Sequence, residues 1–223
     1  MNAHTLGRLL QSTVGLKVIM AVTGLVWIVF VFAHFVGNLL VYAGPEALNA
    51  YGHFIQEGSH GAVWVLRVTV AAALILHVYA MAVLTRRSAA ARPEAYAGGR
   101  VRNRASYASL TMRYGGPALL LFVLYHLSHL TLGWTHPDFV YGDVYRNLVL
   151  GFQDPLVAGV YMAAMLFLGL HLYHGTRSLL QTVGLASMDS QWPAVLGGLL
   201  AIVVAGGNAM FPVAVLTGIL ELP

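Results

Sequence analysis

The chain has 223 residues, of which 58% are hydrophobic and only 9% are Asp, Glu, Lys or Arg, against roughly 25% charged residues in ordinary soluble domains. With a mean hydropathy of +0.73, it has too few charges to coat a water-soluble globule, so lipid is the solvent for much of it. Ten histidines outnumber eight acidic residues and there is no cysteine. That excludes disulfides, iron–sulfur ligation by this chain and thiol nucleophiles.

A transmembrane helix needs about 20 mainly apolar residues to cross roughly 30 Å of hydrocarbon. Five stretches qualify: 18–42, 62–84, 112–134, 156–177 and 193–220. The fold expected is therefore an all-α membrane protein, a single domain over residues 1–223, with five transmembrane helices. The first stretch is too long for a cleaved signal peptide and ends at Gly44-Pro45, where the chain turns back. The fifth holds Gly206-Gly207-Asn208 and Pro212, a candidate helix break.

Basic residues set the orientation. With the N-terminus in the cytoplasm, the inner segments carry Arg8, Lys17, Arg86, Arg87, Arg92, Arg100, Arg102, Arg104, Arg113 and Arg177, whereas only Arg67 and Arg146 fall outside. The positive net charge is a topology signal, and nucleic-acid binding is not inferred from it. Trp64 and Trp134 suit the outer interface. The outer connections, Gly44 to Gly61 and Trp134 to Asp154, are expected to be polar loops, and the inner stretch from Arg86 to Ser109 a solvated basic loop or a docking surface.

Ionisable residues inside a span default to a functional reading. His34, His77, His126, His129, His171 and His174 lie within spans; His4, His53, His60 and His136 are expected to be ordinary polar surface. Depth follows from the boundary charges at about 1.5 Å per residue. His34, well past Lys17, and His126, past Arg113, fall in the outer half. His77, shortly before Arg86, and His171, shortly before Arg177, fall in the inner half. Each level thus draws one histidine from each of two helices.

Two axial nitrogens on opposite faces of a porphyrin are what bis-histidine haem b requires, and helix interfaces can supply them. Four helices with one histidine each, at two depths, would hold two stacked haems. The lack of cysteine fits non-covalent haem b. Three other readings compete. Intramembrane histidines can simply bond between helices. The pairs His126/His129 and His171/His174, spaced i and i+3, could hold non-haem iron, but such sites usually want carboxylates as well, and no span has one at its middle. A histidine-rich transporter, or a structural anchor without a redox cofactor, is the remaining alternative.

The order and spacing of certain motifs add a resemblance. Thr23-Gly24 precedes His34, then come Gly37-Asn38-Leu39-Leu40, Gly44-Pro45-Glu46-Ala47 and Asn49-Ala50-Tyr51. Leu76-His77 follows in the second span, Gly115-Gly116 ahead of His126 in the third, and Gly169-Leu170-His171-Leu172-Tyr173-His174-Gly175 in the fourth, leading to Gln181-Thr182-Val183-Gly184-Leu185. Over nearly its whole length the chain resembles the single-subunit, di-haem cytochrome b membrane anchors of succinate dehydrogenase and fumarate reductase, that is, of succinate:quinone oxidoreductases.

The resemblance implies a distal, outer haem on His34 and His126 and a proximal, inner haem on His77 and His171. Spacing to Gly116 and Gly184 favours His126 and His171 over His129 and His174. It implies His174 and Arg177 as groups supporting the haems, and a flavoprotein subunit with FAD and an iron–sulfur subunit on the cytoplasmic side, docked on Arg8, Lys17 and the Arg86–Arg113 stretch. Succinate chemistry would belong to the flavoprotein. This chain would carry electrons between the iron–sulfur subunit and a membrane quinone, menaquinone by the resemblance, as a multi-pass protein of the bacterial cytoplasmic membrane in the respiratory chain and tricarboxylic acid cycle. Quinone contacts are expected near the distal haem from Asn38, Glu57, His60 and His129. The chain departs from the pattern in having no acid beside His171, where Gly169 and Leu170 stand. Proton transfer along the fourth helix is accordingly not implied.

Overall fold

A computed structural model describes residues 12–58, 61–91 and 105–223. It is 82% helix, with no strand among the described residues. Helix α1 (Thr13–Asn38) runs into a 3-10 turn, Leu39–Ala43. Short α2 (Pro45–His53) is followed by a π turn, Phe54–Gly58. Then come α3 (Ala62–Ala90), α4 (Ala105–His126) with a π turn at Leu127–Thr131, α5 (Val144–Gln153) and α6 (Pro155–Thr182). The last rod joins α7 (Trp192–Leu200), a π segment (Ala201–Gly206) and α8 (Gly207–Leu216).

Among the described residues, four rods are long and apolar enough to cross a membrane: Thr13–Ala43, Ala62–Ala90, Pro155–Thr182 and Trp192–Leu216. Their surfaces confirm which solvent they face. On α1 the residues Val18, Val22, Leu25, Val29, Phe32 and Val36 repeat at helical spacing and are all exposed, an apolar stripe that water would penalise and lipid accepts. These properties make the chain a multi-pass membrane protein.

The helices extend past the apolar stretches seen in the sequence. α1 starts at Thr13, where Ser12 Oγ accepts from Gly15 N at 3.0 Å, and α3 continues beyond Arg86 and Arg87 to Ala90. Hydropathy marks the hydrocarbon, whereas backbone hydrogen bonding continues into the interface. Gly44 takes a φ of 101°, open to a residue without Cβ, and Pro45 opens α2 at a position that needs no N–H.

The fifth expected stretch is not unwound at its glycines. It takes a π segment, and Asn208 Nδ2 donates to Val204 O at 2.7 Å, adding a side-chain bond to a carbonyl that Gly207 N also reaches.

α6 is the central rod: it packs against α4, α7, α8 and α1, while α1 packs along α3. The outer connections differ from the loops expected of them, because they fold into a helical cap. Asn49 on α2 donates to Asp143 Oδ1 at 2.9 Å and accepts from Tyr145 N at 2.9 Å. Tyr145 Oη donates to Glu221 O at 3.0 Å, tying the cap to the C-terminal end. Leu148, Val149 and Phe152 of α5 are buried beneath it. Arg67 and Arg146 belong to this capped end. Lys17, Arg86, Arg87 and Arg177 belong to the opposite end; Arg8, Arg92, Arg100, Arg102 and Arg104 lie outside the described residues.

Candidate functional site

Two histidine pairs lie inside the bundle. The rings of His34 on α1 and His126 on α4 have centroids 5.8 Å apart with planes at 85°. Those of His77 on α3 and His171 on α6 have centroids 6.2 Å apart at 58°. Both pairs bridge seams where the helices hardly meet: the backbones of α1 and α4, and of α3 and α6, scarcely approach within 8 Å. The histidine rings, not close helix packing, span these gaps.

The two pairs sit at different levels. Thr23 Oγ1 is 3.1 Å from His77 Nδ1, which puts the His77 level 11 residues below His34 on α1, or about 16 Å. On α6, Tyr161 touches the His126 ring at 5.9 Å between centroids, and His171 follows 10 residues later, about 15 Å down the helix. Two independent helices thus give the same separation.

Imidazole nitrogens bind first-row metals at about 2.0 Å, so two rings on opposite sides of one iron place their centroids roughly 6 Å apart. Both pairs match that span. The Nδ1 atoms of His126 and His171 are buried with no hydrogen-bond partner, which leaves the Nε2 atoms as the ones free to ligate. No group of three or more His, Asp or Glu side chains able to hold a metal converges among the described residues. Each pair offers two imidazoles, the number an axial haem site uses. On these grounds the residues fit haem b.

His129 stands apart from the pair beside it. Residues at i and i+3 share a face in a regular helix, but His129 falls on a π turn marked by Leu132 N donating to Leu127 O at 2.9 Å. Both rings still meet the same neighbour on α6: Tyr161 lies 5.9 Å from His126 and 5.7 Å from His129 between centroids. It is only 1% exposed, has its Nδ1 3.0 Å from Tyr161 Oη, and stacks between Tyr125 and His136 at 5.4 and 4.9 Å.

His136, expected at the polar surface, is buried instead. Asp138 N donates to its Nδ1 at 3.2 Å, which leaves Nε2 to donate to Asn147 O at 2.9 Å. Both ring nitrogens are satisfied, so the imidazole can enter the core. Gly151 makes this possible: a Cβ there would lie 2.8 Å from His129 Cε1.

The remaining site residues are spread over both ends. Asn38 ends α1, half-buried. Glu57 is exposed, 3.7 Å from exposed His53. His60 and His4 lie outside the described residues. Toward the basic end, His174 is half-buried against Tyr173, with centroids 4.9 Å apart. Arg177 Nη2 donates to Met188 O at 3.1 Å and fastens the connection to α7. Thr23 and Tyr161 were not singled out as site residues by the sequence. Thr23 stood in a motif without a role, and no motif or spacing marked Tyr161.

No protein-family model, curated protein or solved structure matches the chain. What the two pairs can do follows from their own geometry: they present four imidazole nitrogens at two depths across an apolar bundle.

Proposed function

We propose that the chain is the membrane-anchor cytochrome b of a succinate:quinone oxidoreductase, with five crossings and two b haems. The observation that carries this reading is the two facing histidine pairs at two levels. In this account α4 is the fifth crossing, since α3 ends at the basic end and α6 begins at the capped end. His34 and His126 hold the distal haem; His77 and His171 hold the proximal one. Bound haem supplies a one-electron iron centre. The helices align the four imidazoles, and the lipid-facing stripes keep the whole path in hydrocarbon.

The basic end, with Lys17, Arg86 and Arg87, faces the cytoplasm and receives the iron–sulfur and FAD-bearing subunits. Succinate or fumarate is handled there, and this chain exchanges electrons with menaquinone. The quinone site lies toward the cap, with Asn38 at the end of α1 and Glu57 in the turn after α2 as its candidate contacts, and His60 a further candidate from the sequence. Glu57, exposed to water, exchanges protons with the outside. His129, sealed under α5, supports this region from below.

Purification of the tagged chain from its native membrane tests the reading. The expected result is a complex containing an FAD-bearing subunit and an iron–sulfur subunit, in which succinate reduces the haem of this chain. Isolation without those partners, or haem that succinate leaves oxidised, overturns it.

A further inference from the structure

A threonine hydroxyl has one hydrogen to donate and lone pairs to accept with. Thr23 is buried, and its Oγ1 lies 2.7 Å from Ile19 O and 3.2 Å from Met20 O, both in the preceding turn. The hydrogen goes to those carbonyls. Its third neighbour, His77 Nδ1 at 3.1 Å, then brings its own hydrogen, which the threonine oxygen shares with the Met20 carbonyl that also bonds this imidazole, and Nε2 keeps the lone pair a metal needs. The ring also packs against the next residue of α1: a Cβ at Gly24 would stand in ordinary contact with His77 Cε1, at 3.4 Å. Thr23-Gly24 is thus a cradle on α1 for a ring that belongs to α3. The Nδ1 atoms of His126 and His171 have no such partner.

We propose that Thr23 is a positioning residue for the inner site, fixing His77 as its Nδ1–H tautomer and, by accepting that hydrogen, holding the proximal haem at a lower potential than His77 alone would give. Accepting the N–H of a ligating imidazole makes the ring a stronger donor and favours the more oxidised metal. The inference rests on the two-haem reading, so haem in the wild-type protein is measured first. Wild-type protein without b haem overturns that reading, and this proposal with it, before any variant is made.

The test is a redox titration of the purified, haem-loaded protein as wild type, Thr23→Val and Thr23→Ser, with His77→Ala identifying the inner midpoint as the one that disappears. Thr23→Val keeps the shape and loses the hydroxyl. It is expected to raise the inner midpoint by about a tenfold change in the oxidised-to-reduced ratio, about 59 mV for one electron. The outer midpoint stays in place, and Thr23→Ser restores the wild-type value. Unchanged midpoints in Thr23→Val, equal shifts in both, or a serine variant that behaves like valine overturns the proposal. If Thr23→Val loses the inner haem altogether, the serine variant decides: wild-type haem and potential support a hydroxyl requirement, and loss of that haem overturns it.

Discussion

The Nδ1 of His129, on the π turn after α4, lies 3.0 Å from the hydroxyl of Tyr161 on α6. The same tyrosine ring packs edge-on against Phe122 and Phe152 and touches His126. One α6 side chain thus anchors the cap histidine and walls the outer pair. Tyr161→Phe keeps the ring and leaves His129, almost fully buried, short of a partner. Stability should fall by about 1–3 kcal/mol, read as a lower thermal midpoint in detergent, with haem content unchanged. A midpoint equal to wild type would show that the bond contributes nothing.

The neighbours His126 and His129 should respond in opposite ways. Replacing His126 by alanine removes a ring that faces His34, and bound haem should fall from about two to about one per chain. His129→Ala opens a hole under α5 and destabilises the protein, yet it should retain both haems. Haem quantified against protein checks both; haem lost from His129→Ala and kept in His126→Ala reverses the assignment on α4.

Hydropathy was enough to find four of the five expected spans, which recur as long apolar helices among the described residues, because a bundle in lipid is organised along one axis. The cap was hidden for a different reason. Asn49 meets Asp143 and Tyr145 across more than ninety residues, and no local pattern signals such a contact. His136 looked like a loop residue, but Asp138 and Asn147 satisfy its nitrogens inside the fold. The π turn at Leu127–Thr131 has no compositional mark, and the burial of His129 under α5 was not legible from its spacing to His126.

Gly197 marks where α7 crosses α6. A Cβ at 197 would lie 2.6 Å from Tyr173 O, whereas at Gly198 the nearest such atom is Tyr173 Cδ2 at 4.0 Å. A backbone carbonyl cannot swing aside, so Gly197→Ala must push the helices apart two residues from the His171 level. A loss of about 1–3 kcal/mol is expected, against little change for Gly198→Ala. Thermal unfolding of the two variants side by side checks this.

Glu57 is exposed beside His53 at the capped end. As a proton-exchanging group for a quinone site there, its replacement by glutamine should slow quinone turnover several-fold, about what loss of one positioned acid–base group gives at the low end, while both haems remain. Unchanged turnover in the assembled complex would move the quinone site away from the cap.

The central claim is that two levels of paired histidines hold two b haems. Pyridine haemochrome analysis of the purified chain, expressed with haem supply and quantified against protein, measures this directly. The account predicts about two haem b per chain, falling to one when either pair loses a histidine. A chain that purifies folded with no haem b, or with one that survives loss of both His34 and His77, contradicts it.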